Sequence, residues 1–285
     1  MWCLAGVTIF VAGMSQGALG FGFPAISTPV LALMITMLIG ALLLTSLGKD
    51  PTRGLLVFFW EPVRNAYAIG ELLVKATPLL LIATGLTVAY RSNVWNIGAE
   101  GQYVMGAVAA SWLALQARPD HGAWIVIPVV LAGALGGMLW AGLTAWLRDR
   151  YNANEILVSL MLVYVAILLL NYLVYGPWKD PAGYNFPQTQ SFEKITQIPR
   201  LFSGSRVSVG WLMALVGVAG LWLFLFRTRA GWGLGVSGVA PLAARYGGIS
   251  SRGALWTALL VSGGLAGLAG ALEVAGPLGQ LTPYV

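Results

Sequence analysis

The sequence predicts an all-α, polytopic membrane protein, and three observations carry that prediction. First, 58% of its 285 residues are hydrophobic and only 9% charged, with a mean hydropathy of +0.79, whereas soluble domains carry about 25% charged residues. Second, the apolar runs are continuous rather than alternating, which suits spanning helices and not a barrel. Third, a polar stretch, residues 91–106, interrupts those runs where the chain is otherwise of membrane length. Taken together, the runs predict about seven to eight transmembrane helices. The net charge of +6 is scattered through the links and forms no nucleic-acid patch. One cysteine, Cys3, excludes a disulfide framework, and no metal site or cofactor is expected; His121, in Arg-Pro-Asp-His-Gly, reads as a loop residue.

Taken in order, residues 2–23 are apolar and glycine-rich (Gly13, Gly17, Gly20, Gly22), a small-residue face suited to helix contact and without the basic start of a signal peptide. Residues 28–47 read as a span ended by Gly48-Lys-Asp-Pro51. Residues 52–76 mix charges with Phe58, Phe59, Trp60 and Tyr67, a pattern of a segment lying along the membrane surface. Lys75-Ala-Thr-Pro78 is then expected to start the helix that runs into the polar break. Residues 103–116 leave the break, and residues 118–122 form a short turn. Residues 123–147 span, with Gly133 and Gly137 as a packing face; Asn154 or a neighbour caps a span over residues 155–175. Asn171 on that helix either lines a pathway or bonds a neighbour. Residues 176–208 are a polar loop, residues 209–226 span, residues 227–252 are a loop with four arginines, and residues 253–275 span again. Glu273, before Gly276-Pro277, either lines a pathway or emerges at the surface, the latter slightly favoured.

Within the polar break, Asn93, Asn96, Glu100 and Gln102 place a carboxylate and three amides close to bilayer depth. Such groups are costly in hydrocarbon and should face protein, water or a passing solute. Gly98 and Gly101 permit turns, and a helix opened by Asn96 would put Glu100 and Tyr103 on its own face. Two readings follow: a helix broken inside the membrane, or a short cytoplasmic loop with Asn96 as an N-cap and Glu100 at the positive helix end. A second informative stretch is Pro241 to Gly247, where proline is a good first helical residue and glycine a good stop. A helix of one to two turns cannot stand alone and needs a dock; the alternative is a plain surface turn.

No chemistry-bearing motif is present. The chain lacks a Gly-x-x-x-x-Gly-Lys-Ser/Thr phosphate loop, so it cannot hydrolyse ATP by that route, and Gly233-Leu-Gly-Val-Ser-Gly238 follows arginines rather than a strand. The loops over residues 148–150 and 227–252 hold arginines that put them, with Arg91, on the cytoplasmic side; residues 118–122 and 176–208 then face out.

Asn96-Ile-Gly-Ala-Glu-Gly-Gln102 after an Arg-containing link resembles the signature of permease subunits of ABC-type importers, within the branched-chain amino acid and ribose permease family, in its nucleoside and simple-sugar branch. Gly176-Pro-Trp-Lys-Asp-Pro181 is similar to that family's outer loop, and residues 238–249 resemble its coupling segment, with Ala240 where Asn is commoner and Gly248 where Ala is. The resemblance implies a permease domain over residues 34–285 that performs no chemistry itself. Its implied partners are ABC ATPase subunits, an extracytoplasmic solute-binding protein, and a second permease copy or a sister permease, in the lipid of a bacterial plasma (inner) membrane. Asn93, Trp95, Asn96, Glu100, Gln102, Tyr103 and Asn171 become substrate-pathway candidates; Pro241, Ala244, Arg245 and Tyr246 become the ATPase-coupling candidates. Family members continue past Gly276-Pro-Leu-Gly-Gln-Leu-Thr-Pro283, so a chain ending at Val285 is expected to be incomplete at its C-terminus. Residues 1–33 are set apart: Gly13-Met-Ser-Gln-Gly-Ala-Leu-Gly-Phe-Gly-Phe23 resembles the start of sulfite-exporter-type anion carriers. A fusion or assembly join is the favoured account and an unusual first helix the other. That segment alone suggests the rival function, a secondary carrier exporting sulfite-like or organosulfur anions.

Overall fold

The computed structural model describes residues 22–202 and 204–283, and of residues 22–30 the backbone only. The reading of residues 2–21 therefore lies outside the described residues. The chain divides into two compact units, Met1–Ile69 and Gly70–Val285. Among the described residues the regular elements are all helical, in agreement with the expected all-α class.

In the first unit, helix α1 (Gly22–Ser46) runs without interruption across residue 34. It ends in a turn with Gly48 in the left-handed region, φ +66°. Asp50 then caps α2 (Pro51–Phe59), its carboxylate accepting from Thr52 N at 2.9 Å, with Pro51 at the first helical position. Leu56, Val57 and Phe58 stay exposed, and Phe58 packs edge-on against Phe59 at 5.0 Å. A single 3₁₀ turn, Glu61–Val63, follows.

The next helix, α3 (Ala66–Arg91), starts well before the Lys75–Pro78 expected to open it, and Pro78 lies inside it. Two of the charges that suggested a surface segment, Glu71 and Lys75, are held at one end of this span. Glu71 pairs with Arg206, and Lys75 lies 3.9 Å from the Glu273 carboxylate. With those groups satisfied, the helix can extend an additional turn or more.

Helices α4 (Ala99–Ala114), α5 (Val126–Tyr151), α6 (Glu155–Tyr175), α7 (Gly210–Arg227), α8 (Arg229–Val239), α9 (Pro241–Tyr246) and α10 (Ser251–Glu273) complete the second unit. Among the described residues five stretches are long and apolar enough to cross a membrane: Ala66–Arg91, Ala123–Tyr151, Glu155–Tyr175, Gly210–Arg227 and Ser251–Leu278. The last is the central post. In its apolar window 78% of residues are buried, against 22–33% in the other four. Small residues explain why. A Cβ on Gly137 would overlap Gly263 and Gly267, and one on Gly106 would overlap Gly267, so α4, α5 and α10 meet backbone to backbone. The expected packing face at Gly133 and Gly137 is this contact.

The two ends of the unit are chemically distinct. At one end the polar loop, residues 176–208, is strapped to the chain after α10 by Thr189 N to Leu281 O (3.0 Å), Phe192 N to Gly279 O (2.8 Å) and Ile198 N to Ala275 O (2.8 Å). Glu273 sits there, 7% exposed, so it does not emerge at the surface. At the other end lie Arg91, Arg148, Arg245 and Arg252 with the link between α5 and α6. His121 is a loop residue, its Nδ1 accepting from Arg118 N at 3.0 Å.

Candidate functional site

The break begins where α3 stops. Asn93 adopts φ 55°, a left-handed conformation that asparagine tolerates better than most residues. Its N–H donates to Tyr90 O at 3.0 Å, while Val94 N donates to Ala89 O at 2.9 Å. This is a Schellman end, which satisfies the last carbonyls and turns the chain back into the protein. Val94 is buried with Ala145, Ala258 and Leu259, whereas Trp95 is half exposed and packs on Tyr90 at 5.4 Å.

Asn96 follows and is 1% exposed, as is Gln102. Their amides form a reciprocal pair: Asn96 Nδ2 donates to Gln102 Oε1 and Gln102 Nε2 donates to Asn96 Oδ1, each at 2.9 Å. Asn96 Nδ2 also donates to Ser262 Oγ at 2.9 Å, and Asn96 Oδ1 accepts from Gly98 N at 3.2 Å. Each amide buried at membrane depth thereby finds a partner, as the cost of stranding it requires. Ser262 lies eleven residues after Ser251, roughly 16 Å along α10 at 1.5 Å per residue, about half of a hydrocarbon core of ~30 Å. α4 thus starts inside the bundle and runs toward the looped end. The broken-helix alternative is the one this geometry matches, with Asn96 ahead of the helix rather than opening it.

Gly98 and Gly101 make the close approach possible. A Cβ on Gly98 would lie 2.8 Å from the Ser159 side chain and one on Gly101 would lie 2.9 Å from Val163 Cα, both on α6. Glu100 is exposed on the first turn of α4 and does not join the buried pair. Tyr103 is half-buried against the core. Asn171 is half-buried toward the looped end of α6, sixteen residues after Glu155, and is not gathered with the break. Asn93 faces the opposite end, in a polar cavity of about 370 Å³ with Arg148, Asp149, Asn152, Arg245 and Arg252. Of the seven pathway candidates, then, Asn96 and Gln102 bond directly, with Trp95 and Glu100 beside them on the exposed side.

Residues 227–252, expected as a loop, hold two helices. α8 is capped by Thr228, whose hydroxyl accepts from Gly231 N at 3.1 Å. Its glycines hid it, because glycine lowers helix propensity. They are there for contact: a Cβ on Gly238 would overlap Arg91 O and lie 3.0 Å from Ser92 Cα. α9 is the short helix the proline and glycine predicted. Ala244 is buried, Arg245 Nε donates to Ser251 Oγ at 3.4 Å, and Tyr246 and Leu242 project at 98% and 82% exposure. No sequence signal marks Leu242, since a lone leucine in a short turn carries no pattern. Asp149 at the end of α5 anchors this region, accepting from Arg252 Nε at 2.7 Å and Trp256 Nε1 at 3.1 Å, and Arg148 pairs with Glu155 beside it. α8 and α9 therefore link the exposed Leu242 and Tyr246 to the Arg91–Ser92 turn that opens the break.

Residues 68–281 match the family described as branched-chain amino acid transport system / permease component. That range coincides with the second unit. A glucose ABC transporter permease protein of Haloferax volcanii is 33% identical over 90% of this chain and 70% of its own length. A guanosine ABC transporter permease protein of Bacillus subtilis is 29% identical over 86% and 70%, and a nucleoside ABC transporter permease protein of Lactococcus lactis is 27% identical over 85% and 68%. No solved structure matches the chain. The likeness of residues 1–33 to sulfite-exporter-type carriers finds no support among these relatives. With the family matched over most of its length and its apolar helices long enough to span, the chain is a multi-pass membrane protein that belongs to the permease-component family of the branched-chain amino acid transport systems.

Proposed function

We propose that the chain is the membrane-spanning subunit of an ATP-driven, binding-protein-dependent importer of nucleosides or simple sugars in a bacterial inner membrane. The observation that carries this reading is the start of α4 at mid-depth, held by the Asn96–Gln102–Ser262 hydrogen bonds. A broken helix at the midplane is the common construction of a solute site. The names of the relatives, glucose, guanosine and nucleoside permeases, support the substrate class. In this reading Asn96 and Gln102 hold the break, while Trp95, Glu100 and Tyr103 face the pathway with Asn93 and Asn171 toward its two ends. Aromatic faces and a carboxylate suit sugar hydroxyls and base edges. The pathway forms against a second permease copy or a sister permease. A solute-binding protein delivers to the end that carries the loop of residues 176–208, and ATPase subunits dock on α9 through Leu242, Arg245 and Tyr246. Bond chemistry is left to the ATPase.

The decisive experiment reconstitutes the chain with its ATPase, binding protein and partner permease and follows labelled nucleosides and sugars with and without ATP. ATP-dependent uptake of one class is expected, and ATP-independent flux would sink the reading. Glu100→Ala should insert normally yet lose most uptake, since it touches no buried partner. We also assign residues 34–285 to the permease domain. Exchanging residues 1–33 for an unrelated apolar helix should leave co-purification with the ATPase intact, and loss of the complex would make that segment integral.

A further inference from the structure

Beside the coupling region lies a second feature that transport does not use. Arg91, the last residue of α3, carries its guanidinium carbon 4.7 Å from the centroid of the Phe226 ring. Its Nε is buried without a hydrogen-bond partner, and among the described residues no carboxylate pairs with it. Phe226 is 6.1 Å from Trp222, over which Arg227 places its own guanidinium carbon at 5.9 Å. Arg227 likewise has no carboxylate partner among the described residues. Two cations thus stack on one aromatic pair and lack counter-charge.

Arg91 opens into a cavity of about 590 Å³ whose other walls are Tyr90, Trp232, Val236 and Val239. The volume is that of a small-molecule site, about 300–1,000 Å³. Its lining supplies one cation and otherwise rings and aliphatic surface, and it lies at the arginine-bearing end of the spanning helices. Aromatic rings at that level are the usual interfacial belt, and a basic pocket between helices on this side recognises anionic headgroups. A free phosphate would need several donors to replace its water, which these walls do not offer. A phospholipid satisfies both halves: phosphate oxygens accept from Arg91, and the glycerol and upper acyl chain cover Trp232, Val236 and Val239.

We propose that this cavity binds the phosphate of an anionic phospholipid, one headgroup per chain, with Arg91 as its principal donor and Arg227 as the flanking charge. Occupancy would fix Arg91 against α8 and so hold the turn that opens the break, coupling lipid composition to the state of the permease.

The test offers the detergent-purified chain an equimolar mixture of phosphatidylglycerol and phosphatidylcholine and quantifies the lipid retained after size-exclusion chromatography. The wild type should retain phosphatidylglycerol preferentially. Arg91→Ala should lower that preference about tenfold, the worth of one charge-assisted hydrogen bond. Val239→Glu places a carboxylate in the cavity from a position that is 89% exposed. It should do the same without disturbing packing. Tyr184→Glu, in the far loop and 94% exposed, adds equal charge and should leave the preference unchanged. Equal retention of both lipids by the wild type, or an unchanged ratio in both cavity variants, overturns the proposal. Release of phosphatidylglycerol by millimolar inorganic phosphate would also overturn it, in favour of a free-anion site.

Discussion

Removing Asn96 strands both ends of the Gln102 amide where water does not reach, whereas removing Gln102 takes one of two partners from each end of the Asn96 amide. Gln102→Leu is nearly isosteric, but it leaves Asn96 Oδ1 with Gly98 N alone and Asn96 Nδ2 with Ser262 alone. A buried polar group left without a partner, as Gln102 is in Asn96→Ala, costs about 1–3 kcal/mol, and the cost is smaller where one bond remains, as for Asn96 in Gln102→Leu. Thermal unfolding in detergent should show the loss for Gln102→Leu and for Asn96→Ala. The double variant should cost less than the sum, because the partner left stranded in one single variant is gone in the other. Additive losses would mean that the two amides do not form a unit. At this scale the sequence was legible in part: the density of amides at bilayer depth marked the stretch, and a carboxylate four places after one amide and two before another looked like one constellation. What could not be read was the division of labour, since Gln102 reaches back to Asn96 only because the chain turns before Ala99, which leaves Glu100 facing away.

Between elements, the informative contrast is α8 with α9. Pro241 and Gly247 bracket α9 in the sequence, and the structure closes it there, with Gly248 taking φ +79° after it. α8 carried no such brackets, and its glycines read as a loop because their reason is a neighbour distant in sequence, the Arg91–Ser92 turn. The same holds for Glu273 and Lys75, whose pairing no local pattern announces. If α9 transmits force from a soluble ATPase, two changes should uncouple it by different routes. Ala244→Pro deletes the N–H that donates to Ala240 O at 2.9 Å and clashes with the preceding turn, at about 3 kcal/mol. Arg245→Glu leaves the helix formed but reverses its charge beside Ser251 and Asp149. Substrate-stimulated ATP hydrolysis and uptake should fall together in both, with basal hydrolysis by the free ATPase unchanged. Normal stimulation in both would move the contact to the link between α5 and α6.

Over the second unit as a whole, the arginines of separate loops converge on one end because α5, α6 and α10 each turn there, and Asp149 and Glu155 tie the turns together. The opposite end is closed by backbone hydrogen bonds between the loop of residues 176–208 and residues 275–281. Loop charge alone gave this sorting weakly, since the outer loop also carries Lys179, Lys194, Arg200 and Arg206. Part of that charge is neutralised in place, as Arg206 is by Glu71. The arginine end also pairs Arg148 and Arg252, but among the described residues it keeps Arg91, Arg150, Arg227, Arg229 and Arg245 outside the ion pairs. It is therefore the more basic surface in effect and should lie in the cytoplasm. A cysteine probe decides this. With Cys3 changed to Ser, Tyr246→Cys on α9 and Tyr184→Cys in the loop each expose one thiol, at positions 98% and 94% accessible. In right-side-out vesicles a membrane-impermeant maleimide should label only the second, and in inverted vesicles only the first. The reverse pattern would place α9 outside, where no ATPase can reach it, and labelling of both from one side would contradict the two-ended bundle itself.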